Sequence, residues 1–106
     1  MNGNYVFVDV ETTGARADRE RVTEVAALRV EDGQIVKVVH TLLNPDKPIP
    51  YQITQLTGIT NDMVADQRRF DDIADELLEL FDNATMVAHH VRFDYSFLKA
   101  EFKRSG

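Results

Sequence analysis

The stretch YVFVDVETTG, residues 5–14, decides the fold, because it is typical of a β-strand that ends in two acids and a turn. Side chains alternate between the two faces of a strand. Asp9 and Glu11 therefore point to one face, and the valines at positions 6, 8 and 10 point to the other. The β-branched composition predicts a buried strand in the middle of a sheet. Two carboxylates would then stand side by side at its end.

These two acids allow two interpretations. An isolated anion in an apolar setting is costly unless a positive group meets it, and a divalent cation would be the simplest such group. Alternatively, the strand ends here and both acids reach water or cap the next turn. Residues 5–14 alone leave both interpretations open.

Length and composition limit the class of protein. The 106 residues suffice for one domain, or part of one, with a single core. A hydrophobic content of 43% and a charged content of 28% indicate a globular chain. No apolar run is long enough to span a membrane, and the start, MNGNY, lacks the features of a signal peptide. With no cysteine, disulfides, thiolate catalysis and cysteine-ligated zinc are excluded, and we expect a cytoplasmic location.

The formal net charge of −6 argues against a general nucleic-acid binder, because phosphate neutralisation needs clustered Lys and Arg. It does not exclude an enzyme that reaches phosphate through metal ions, since the metals reverse the local field. Six acids and no base lie in residues 70–82, away from the stretch that carries Asp9.

Three strands are predicted to form an antiparallel meander. Residues 24–31 (EVAALRVE) alternate in polarity, Asp32-Gly33 is a strong hairpin signal, and residues 34–43 are the predicted return strand. For Glu24, on a face with alanine and leucine, we favour a hydrogen-bonded structural role over catalysis. His40 is interpreted as an ordinary strand residue.

Helices are predicted after the meander. Prolines end the third strand, and residues 51–67 predict two short helices broken at Gly58, with Thr60 or Asn61 capping the second. Residues 70–81 have the period of a helix with a core-facing stripe. The stripe consists of Phe70, Ile73, Ala74, Leu77, Leu78 and Phe81.

A fourth strand and a last helix complete the pattern. Residues 85–89 (TMVAH) predict a short strand, and residues 92–103 a helix with a wide apolar side. The crossover through a helix predicts that this strand lies parallel to the first. Asp94, in the first turn of the last helix, would be a capping acid if taken alone. If strands one and four are neighbours, however, it emerges near Asp9 and Glu11.

Three converging carboxylates without cysteine form the donor set that Mg²⁺ or Mn²⁺ prefers. Two such ions about 3.5–4 Å apart stabilise the attacking and leaving oxygens of a phosphodiester. The pattern therefore favours metal-assisted hydrolysis of a nucleic-acid backbone.

Several motifs resemble one family. VFVDVETTG, TEVAALRV, LNPDKPIP, QLTGIT and VAHHVRFDYSFL are similar, in order and spacing, to the DEDDh family of 3′–5′ exonucleases, the group of the proofreading epsilon subunit of bacterial DNA polymerase III. The resemblance runs from about residue 5 to residue 102. It implies a ribonuclease-H-like α/β fold, two Mg²⁺ or Mn²⁺ ions, and removal of nucleotides from the 3′ end of DNA, with RNA as an alternative substrate.

The resemblance also implies roles for individual positions. Asp9 corresponds to the carboxylate that bridges both metals, Glu11 to a ligand of the water-activating metal, and Asp94 to the aspartate of the second motif. The implied nucleotide-binding residues are Thr12, Thr13, Gly14, Gly58, Ile59 and Phe93. For Phe93, a role in the core is equally open.

The chain departs from the family pattern at three places. Thr57 stands where many relatives have histidine, and His90 where they usually have asparagine. His89 and His90 could still approach the metals. The third motif, a histidine with an aspartate five positions later, is absent before Gly106. The general base, one metal ligand, and the last strand and helix of the family domain are therefore expected to be missing.

From the sequence we expect one incomplete exonuclease domain, residues 1–106, with weak or no activity alone. A DNA polymerase subunit is an expected partner, and the strand left at the sheet edge predicts self-association. The rival hypotheses are a non-catalytic interaction module of the same fold, and a different nuclease or polynucleotidyl transferase of the same fold class.

Overall fold

One mixed four-stranded sheet organises the chain. The computed structural model describes residues 3–106, so the first two residues of the MNGNY segment lie outside it. The sheet order is β3-β2-β1-β4, with β1 antiparallel to β2, β2 antiparallel to β3, and β1 parallel to β4. The strands are β1 (Asn4–Thr12), β2 (Val22–Glu31), β3 (Gln34–Leu42) and β4 (Thr85–Val87). The predicted meander and the parallel fourth strand are thus confirmed.

The two residues between β2 and β3 allow the tight turn of the meander. Asp32 and Gly33 have φ values of 50° and 82°, the two positive values that a tight hairpin needs. β4 is shorter than predicted and ends at Val87 rather than at residue 89. The three residues that follow it, Ala88, His89 and His90, form the connection to the last helix.

In residues 3–106, four helices accompany the sheet. They are α1 (Tyr51–Thr57), α2 (Asn61–Val64), α3 (Phe70–Phe81) and α4 (Val91–Ser105). Of the two predicted caps of α2, the structure uses Thr60, whose hydroxyl accepts a hydrogen bond from the Met63 backbone N–H at 3.2 Å. The side chain of Asn61 instead accepts a hydrogen bond from the Ile49 backbone N–H at 2.8 Å. No helix among residues 3–106 is long and apolar enough to cross a membrane.

The main core lies between one face of the sheet and the helices α3 and α4. Val6, Val8 and Val10 are all buried there, as their alternation in β1 predicts. The predicted stripe of α3 is wrong at one position, because Leu78 is 53% exposed and Leu80 is buried instead. The buried positions 70, 73, 77 and 80 follow steps of three and four, which keeps the contact on one narrow side of α3.

The opposite face of the sheet is open to solvent in the described residues. β1 is central in the strand order, as predicted, but only its valine face is buried. Phe7 and Val38 on the other face are 36% and 58% exposed. The predicted burial of β1 is therefore confirmed for its valine face and wrong, within residues 3–106, for the face that carries Asp9.

A buried ion pair fixes α4 against the start of β2. The Glu101 carboxylate is 1% exposed and accepts hydrogen bonds at 2.9–3.0 Å from the guanidinium of Arg21. It also accepts the backbone N–H of Val22 at 2.9 Å. Because α4 carries Asp94 in its first turn, this pair helps to hold that residue in place.

Candidate active site

The end of β1 carries two carboxylates on the open face of the sheet. Asp9 is exposed and pairs in register with Ala26, whereas Glu11 is half-buried and pairs with Glu24. Asp9 also borders a shallow depression of about 440 Å³ on this face, which His40 and His89 line as well. The predicted placement of Asp9 and Glu11 on one face is confirmed.

Asp94 joins this end of the sheet through a hydrogen bond to β1. Its carboxylate is 4% exposed, and its Oδ2 accepts the backbone N–H of Val10 at 3.1 Å. Val10 lies between Asp9 and Glu11, so the first turn of α4 is fixed directly beside the two acids. A purely local capping role does not describe this residue.

The carboxylates repel one another. Burial, followed by repulsion from Asp9, Glu24 and Asp94, raises the pKa of Glu11 above its usual value. Burial also raises the pKa of Asp94, and the charge of Asp9 adds to this effect. Hydrogen bonding from the Val10 N–H and the nearby His90 oppose the rise. A bound cation would relieve the repulsion.

The donor set fits a hard divalent cation by its chemistry. Asp9, Glu11 and Asp94 supply only oxygen donors, and within residues 3–106 none of them forms an ion pair with Lys, Arg or His. In the same range, no three His, Asp or Glu side chains are grouped closely enough to hold one ion as they stand. Binding would therefore require these side chains to turn towards one another.

Glu24 and His40 form a pair beside the acids. The Nε2 of His40 lies 2.9 Å from the Oε2 of Glu24. The hydrogen bond predicted for Glu24 is thus present, and its structural role stays a prediction. His40 is a strand residue of β3, as predicted, although its side chain is largely exposed.

A cleft of about 190 Å³ adjoins the acids, between the end of β1, the helix α1 and the start of α4. Among the predicted nucleotide-binding residues, Thr12, Gly14 and Phe93 line it. Glu11 also lines it, so the cleft opens next to a carboxylate. The other lining residues are Val10, Ala15, Ile53, Leu56 and Thr57.

The two threonines before Gly14 are already engaged. The hydroxyl of Thr12 accepts the Gly14 N–H at 3.3 Å and donates to the Gly14 carbonyl. Thr13 is 1% exposed, and its hydroxyl donates to Glu20 at 2.7 Å and accepts the Arg21 N–H at 3.0 Å. Thr13 therefore stabilises the turn and does not line the cleft.

Gly58 and Ile59 lie beyond the residues that line the cleft. Gly58 ends α1 with a φ of 79°, a left-handed conformation that favours glycine. Ile59 is buried with Ile49 and Val64 in a small second core. Thr57 does line the cleft, but its hydroxyl donates to the Ile53 carbonyl and accepts the Ile59 N–H.

The aromatic and histidine side chains near Asp94 have distinct surroundings. Phe93 is half-buried, packs against the main core with its ring centroid 4.8 Å from that of Phe97, and also faces the cleft. The predicted role of Phe93 in the core is therefore confirmed, and its role in nucleotide binding stays a prediction. His89 and His90 are exposed, with their ring centroids 4.4 Å apart.

Sequence reasoning missed the apolar residues of the cleft other than Phe93, which are Val10, Ala15, Ile53 and Leu56. Ile53 and Leu56, on α1, form the wall opposite Gly14, and Leu56 is 82% exposed. The available signal on α1 was the spacing of Ile53 and Leu56, two apolar residues three positions apart in a predicted short helix.

Comparison with known proteins shows the family of this chain. The family model RNase_T, described as an exonuclease, matches residues 6–106. The 3′-5′ exonuclease DinG of Bacillus subtilis (strain 168) is 41% identical over 103 residues, which cover 96% of this chain and 11% of DinG. A PolC-type DNA polymerase III of Thermotoga petrophila is 36% identical over 103 residues, 97% of this chain and 8% of the polymerase.

A solved structure shows the same architecture. Exonuclease X in complex with 5′ overhanging duplex DNA has a TM-score of 0.74 and 32% identity, over 89% of this chain and 53% of that one. The chain thus spans about a tenth of the curated relatives' length and about half of exonuclease X. The predicted fold class is confirmed, and the chain belongs to the RNase_T family of exonucleases, with a ribonuclease-H-like fold.

Proposed function

We propose that this chain carries the metal-binding half of a 3′–5′ exonuclease site that hydrolyses phosphodiester bonds at the 3′ end of DNA, with RNA as an alternative substrate. The hydrogen bond from the Val10 N–H to Asp94 is the observation that carries the proposal. It fixes a buried carboxylate beside Asp9 and Glu11, and Glu11 lines the adjoining cleft. A structural domain has no need to gather three such acids without cationic partners.

In this proposal Asp9, Glu11 and Asp94 would hold Mg²⁺ or Mn²⁺. When bound, two such ions would activate water and stabilise the charge that develops on the phosphate. The cleft residues would orient the 3′-terminal nucleotide. The apolar side chains of the cleft, Leu56 and Phe93, suit stacking and van der Waals contact with a base. Contacts of this kind do not depend on which base is bound.

The activity of these 106 residues alone is proposed to be weak. Catalysis of this kind gains from a positioned base whose pKa lies near neutrality. No histidine follows Asp94 within the 106 residues, and His89 and His90 are exposed and lie before α4 rather than on a further helix. His89 and His90 are proposed to lie beside the metal ligands without binding the ions themselves.

The names of the relatives support the proposed 3′–5′ direction of digestion and the proposed role in DNA replication or repair. DinG is described as a 3′-5′ exonuclease, PolC as a DNA polymerase III, and exonuclease X was solved with duplex DNA. By analogy, we propose a role in polymerase proofreading or in DNA repair, with a single-stranded 3′ end as substrate. A polymerase is the proposed protein partner.

The direct test is the release of mononucleotides from a 3′-labelled single strand in Mn²⁺. We expect slow release that Asp9→Ala abolishes, while a control variant at an exposed acid of α3, Asp75→Asn, behaves like the wild type. Release of mononucleotides by Asp9→Ala at the wild-type rate would refute the site assignment. Cleavage of a circular single strand would instead support a different nuclease of the same fold class.

A non-catalytic interaction module is the second candidate. It is favoured by one observation, the lack of a ready-made group of three metal-binding side chains in the part of the chain that the structure describes. Titration with Mn²⁺ separates the two candidates, because an interaction module would have no binding that depends on Asp9, Glu11 or Asp94.

Self-association is proposed to occur through β4. This strand pairs only with β1 among the described residues, so its other edge is unpaired there. An apolar groove of about 390 Å³, lined by Leu78, Met86 and Phe102 among others, lies beside it. Exposed edges of this kind pair readily with another chain. Light scattering at high concentration should show dimers or larger species, and a monodisperse monomer would contradict the proposal.

A further inference from the structure

Two walls of the cleft belong to parts of the molecule that pack separately. One of these walls is the end of β1 and the turn after it, residues 10–12, 14 and 15, next to the main core. The other wall is α1, which packs with α2 on a small second core formed by Ile49, Ile59 and Val64. The width of the cleft therefore depends on whatever joins these two parts.

Lys47 joins them through hydrogen bonds. It lies in the proline-rich segment that leads into α1, four residues before Tyr51. Its Nζ donates to the Oε1 of Glu20 at 2.8 Å and to the backbone carbonyl of Arg19 at 3.1 Å. Both side chains of the Lys47–Glu20 pair are partly shielded, at 35% and 24% exposure.

Glu20 also binds the turn at the end of β1, so it links that turn to Lys47. Its carboxylate also accepts the hydroxyl of Thr13 at 2.7 Å. A Cβ added to Gly14 would lie 2.9 Å from the Cγ of Glu20, so the turn packs tightly against the same side chain. The hydrogen bonds of Lys47 and Thr13 lower the pKa of Glu20, and the carboxylate is therefore ionised at neutral pH.

We propose that Lys47 and Glu20 are positioning residues that hold α1 at a fixed distance from the Thr13–Gly14 turn, and so set the cleft to the size of a 3′-terminal nucleotide. This inference rests on the proposed function, because it assigns the cleft to the 3′ end. Neither residue lines the cleft, and both act through Thr13 and through the segment before α1.

The competing explanation of any binding defect in a Lys47 variant is a direct contact between this lysine and a phosphate. Glu20→Gln separates the two. It keeps an oxygen that can accept from Thr13 but weakens the bond to Lys47, so a positioning role predicts weaker binding. A direct phosphate contact predicts unchanged or tighter binding, because the lysine would be released from its carboxylate partner.

The experiment measures binding of a short fluorescent single-stranded DNA with a free 3′ hydroxyl, by fluorescence anisotropy in EDTA so that nothing is cleaved. The same strand with a 3′ phosphate reports contacts that do not need the 3′ end. Lys47→Met and Glu20→Gln should each weaken binding of the 3′-hydroxyl strand by about three- to tenfold, since an ordered, charge-assisted bond is lost. The double variant should be no weaker than either single variant, and Lys47→Arg should retain most of the affinity.

Asp18→Asn is the matched control. Asp18 pairs with Arg16 in the same loop, but this ion pair is exposed and does not touch Thr13. Its binding should equal that of the wild type. Unchanged binding in Lys47→Met, unchanged or tighter binding in Glu20→Gln, or additive losses in the double variant would overturn the inference.

Hydrogen exchange distinguishes failure of this inference from failure of the proposed function. In both variants, peptides that cover the Thr13–Gly14 turn and α1 should exchange faster than in the wild type and in Asp18→Asn. If the wild type does not bind the 3′ end, the proposed function fails, and with it the assignment of the cleft to a nucleotide. If the wild type binds but exchange and affinity are unchanged in the variants, only the positioning role fails.

Discussion

Asp94→Asn is expected to make the metal-free protein more stable while it removes a metal ligand. The wild-type carboxylate is buried and repelled by Asp9, which raises its pKa in the folded state. Its charge therefore opposes folding at neutral pH. Asparagine has nearly the same shape, and its amide oxygen can still accept the N–H of Val10.

Two opposing terms set the size of this effect. Replacing a charge-assisted hydrogen bond with a neutral one loses roughly 1 kcal/mol of stability. Removing a buried charge recovers an effective desolvation penalty of a few kcal/mol. We expect a net gain of about 1 kcal/mol, which for a domain of this size raises Tm by roughly 4–8 °C.

The pH dependence of the stability difference between Asp94→Asn and the wild type independently checks the sign of this effect. A carboxyl group whose pKa is raised by folding carries no penalty below its unfolded-state pKa, and the full penalty above its folded-state pKa. Lowering the pH from 7 to about 4 should therefore shrink the advantage of Asp94→Asn, since the wild-type carboxyl group becomes protonated as the pH falls through its raised folded-state pKa. The exposed control, Asp75→Asn, should show no such trend.

The assay is thermal unfolding followed by circular dichroism, in EDTA and then with Mn²⁺. Ligand at a hundredfold excess over its Kd adds about 2.7 kcal/mol to the wild type, enough to reverse the order of the two proteins. A variant that is less stable than the wild type in EDTA, or a difference that does not change with pH, would refute the reasoning about burial and repulsion.

Three further predictions concern packing and the cleft. Glu101→Gln should lower the free energy of unfolding by roughly 2–4 kcal/mol, because the Arg21 guanidinium loses the negative charge and one of the two oxygens that it binds; an unchanged urea midpoint would contradict this. Leu77→Ala, at a fully buried position, should lower the free energy of unfolding by about 2–5 kcal/mol, whereas Leu78→Ala, at an exposed position, should lower it by less than about 1 kcal/mol. Equal losses of stability in the two variants would show that Leu78 is buried, as the sequence predicted. Leu56→Ala should weaken binding of a 3′-hydroxyl strand about three- to tenfold, as loss of roughly 1 kcal/mol of apolar contact implies, and leave Tm unchanged. A fall in Tm would show instead that Leu56 is structural.

The sheet could be predicted from local sequence because each part of it has a local cause. Alternating valines give β1 its two faces, and Asp32-Gly33 supplies two positive φ values for the hairpin. The crossover through α3 then leaves β4 parallel to β1. For the same reason, the alternation along β1 is enough to assign Asp9 and Glu11 to one side of the strand.

Side-chain contacts between residues far apart in the chain had no comparable signal in the sequence. Lys47 and Glu20 are 27 residues apart, and Arg21 and Glu101 are 80 apart, so neither pair follows a helical or strand period. The burial of Leu80 rather than Leu78 depends on how α3 is rotated against the sheet and α4, which its own sequence does not determine. The engagement of Thr13 with Glu20 likewise depends on how the loop between them folds back.

The most direct test of the central claim, that Asp9, Glu11 and Asp94 form a metal site, is a titration with Mn²⁺ followed by electron paramagnetic resonance. The wild type should remove Mn²⁺ from the free-ion signal at a saturable site, and Asp9→Asn should lose that binding. Asp75→Asn should keep it. Identical titrations of the wild type and Asp9→Asn would contradict the claim.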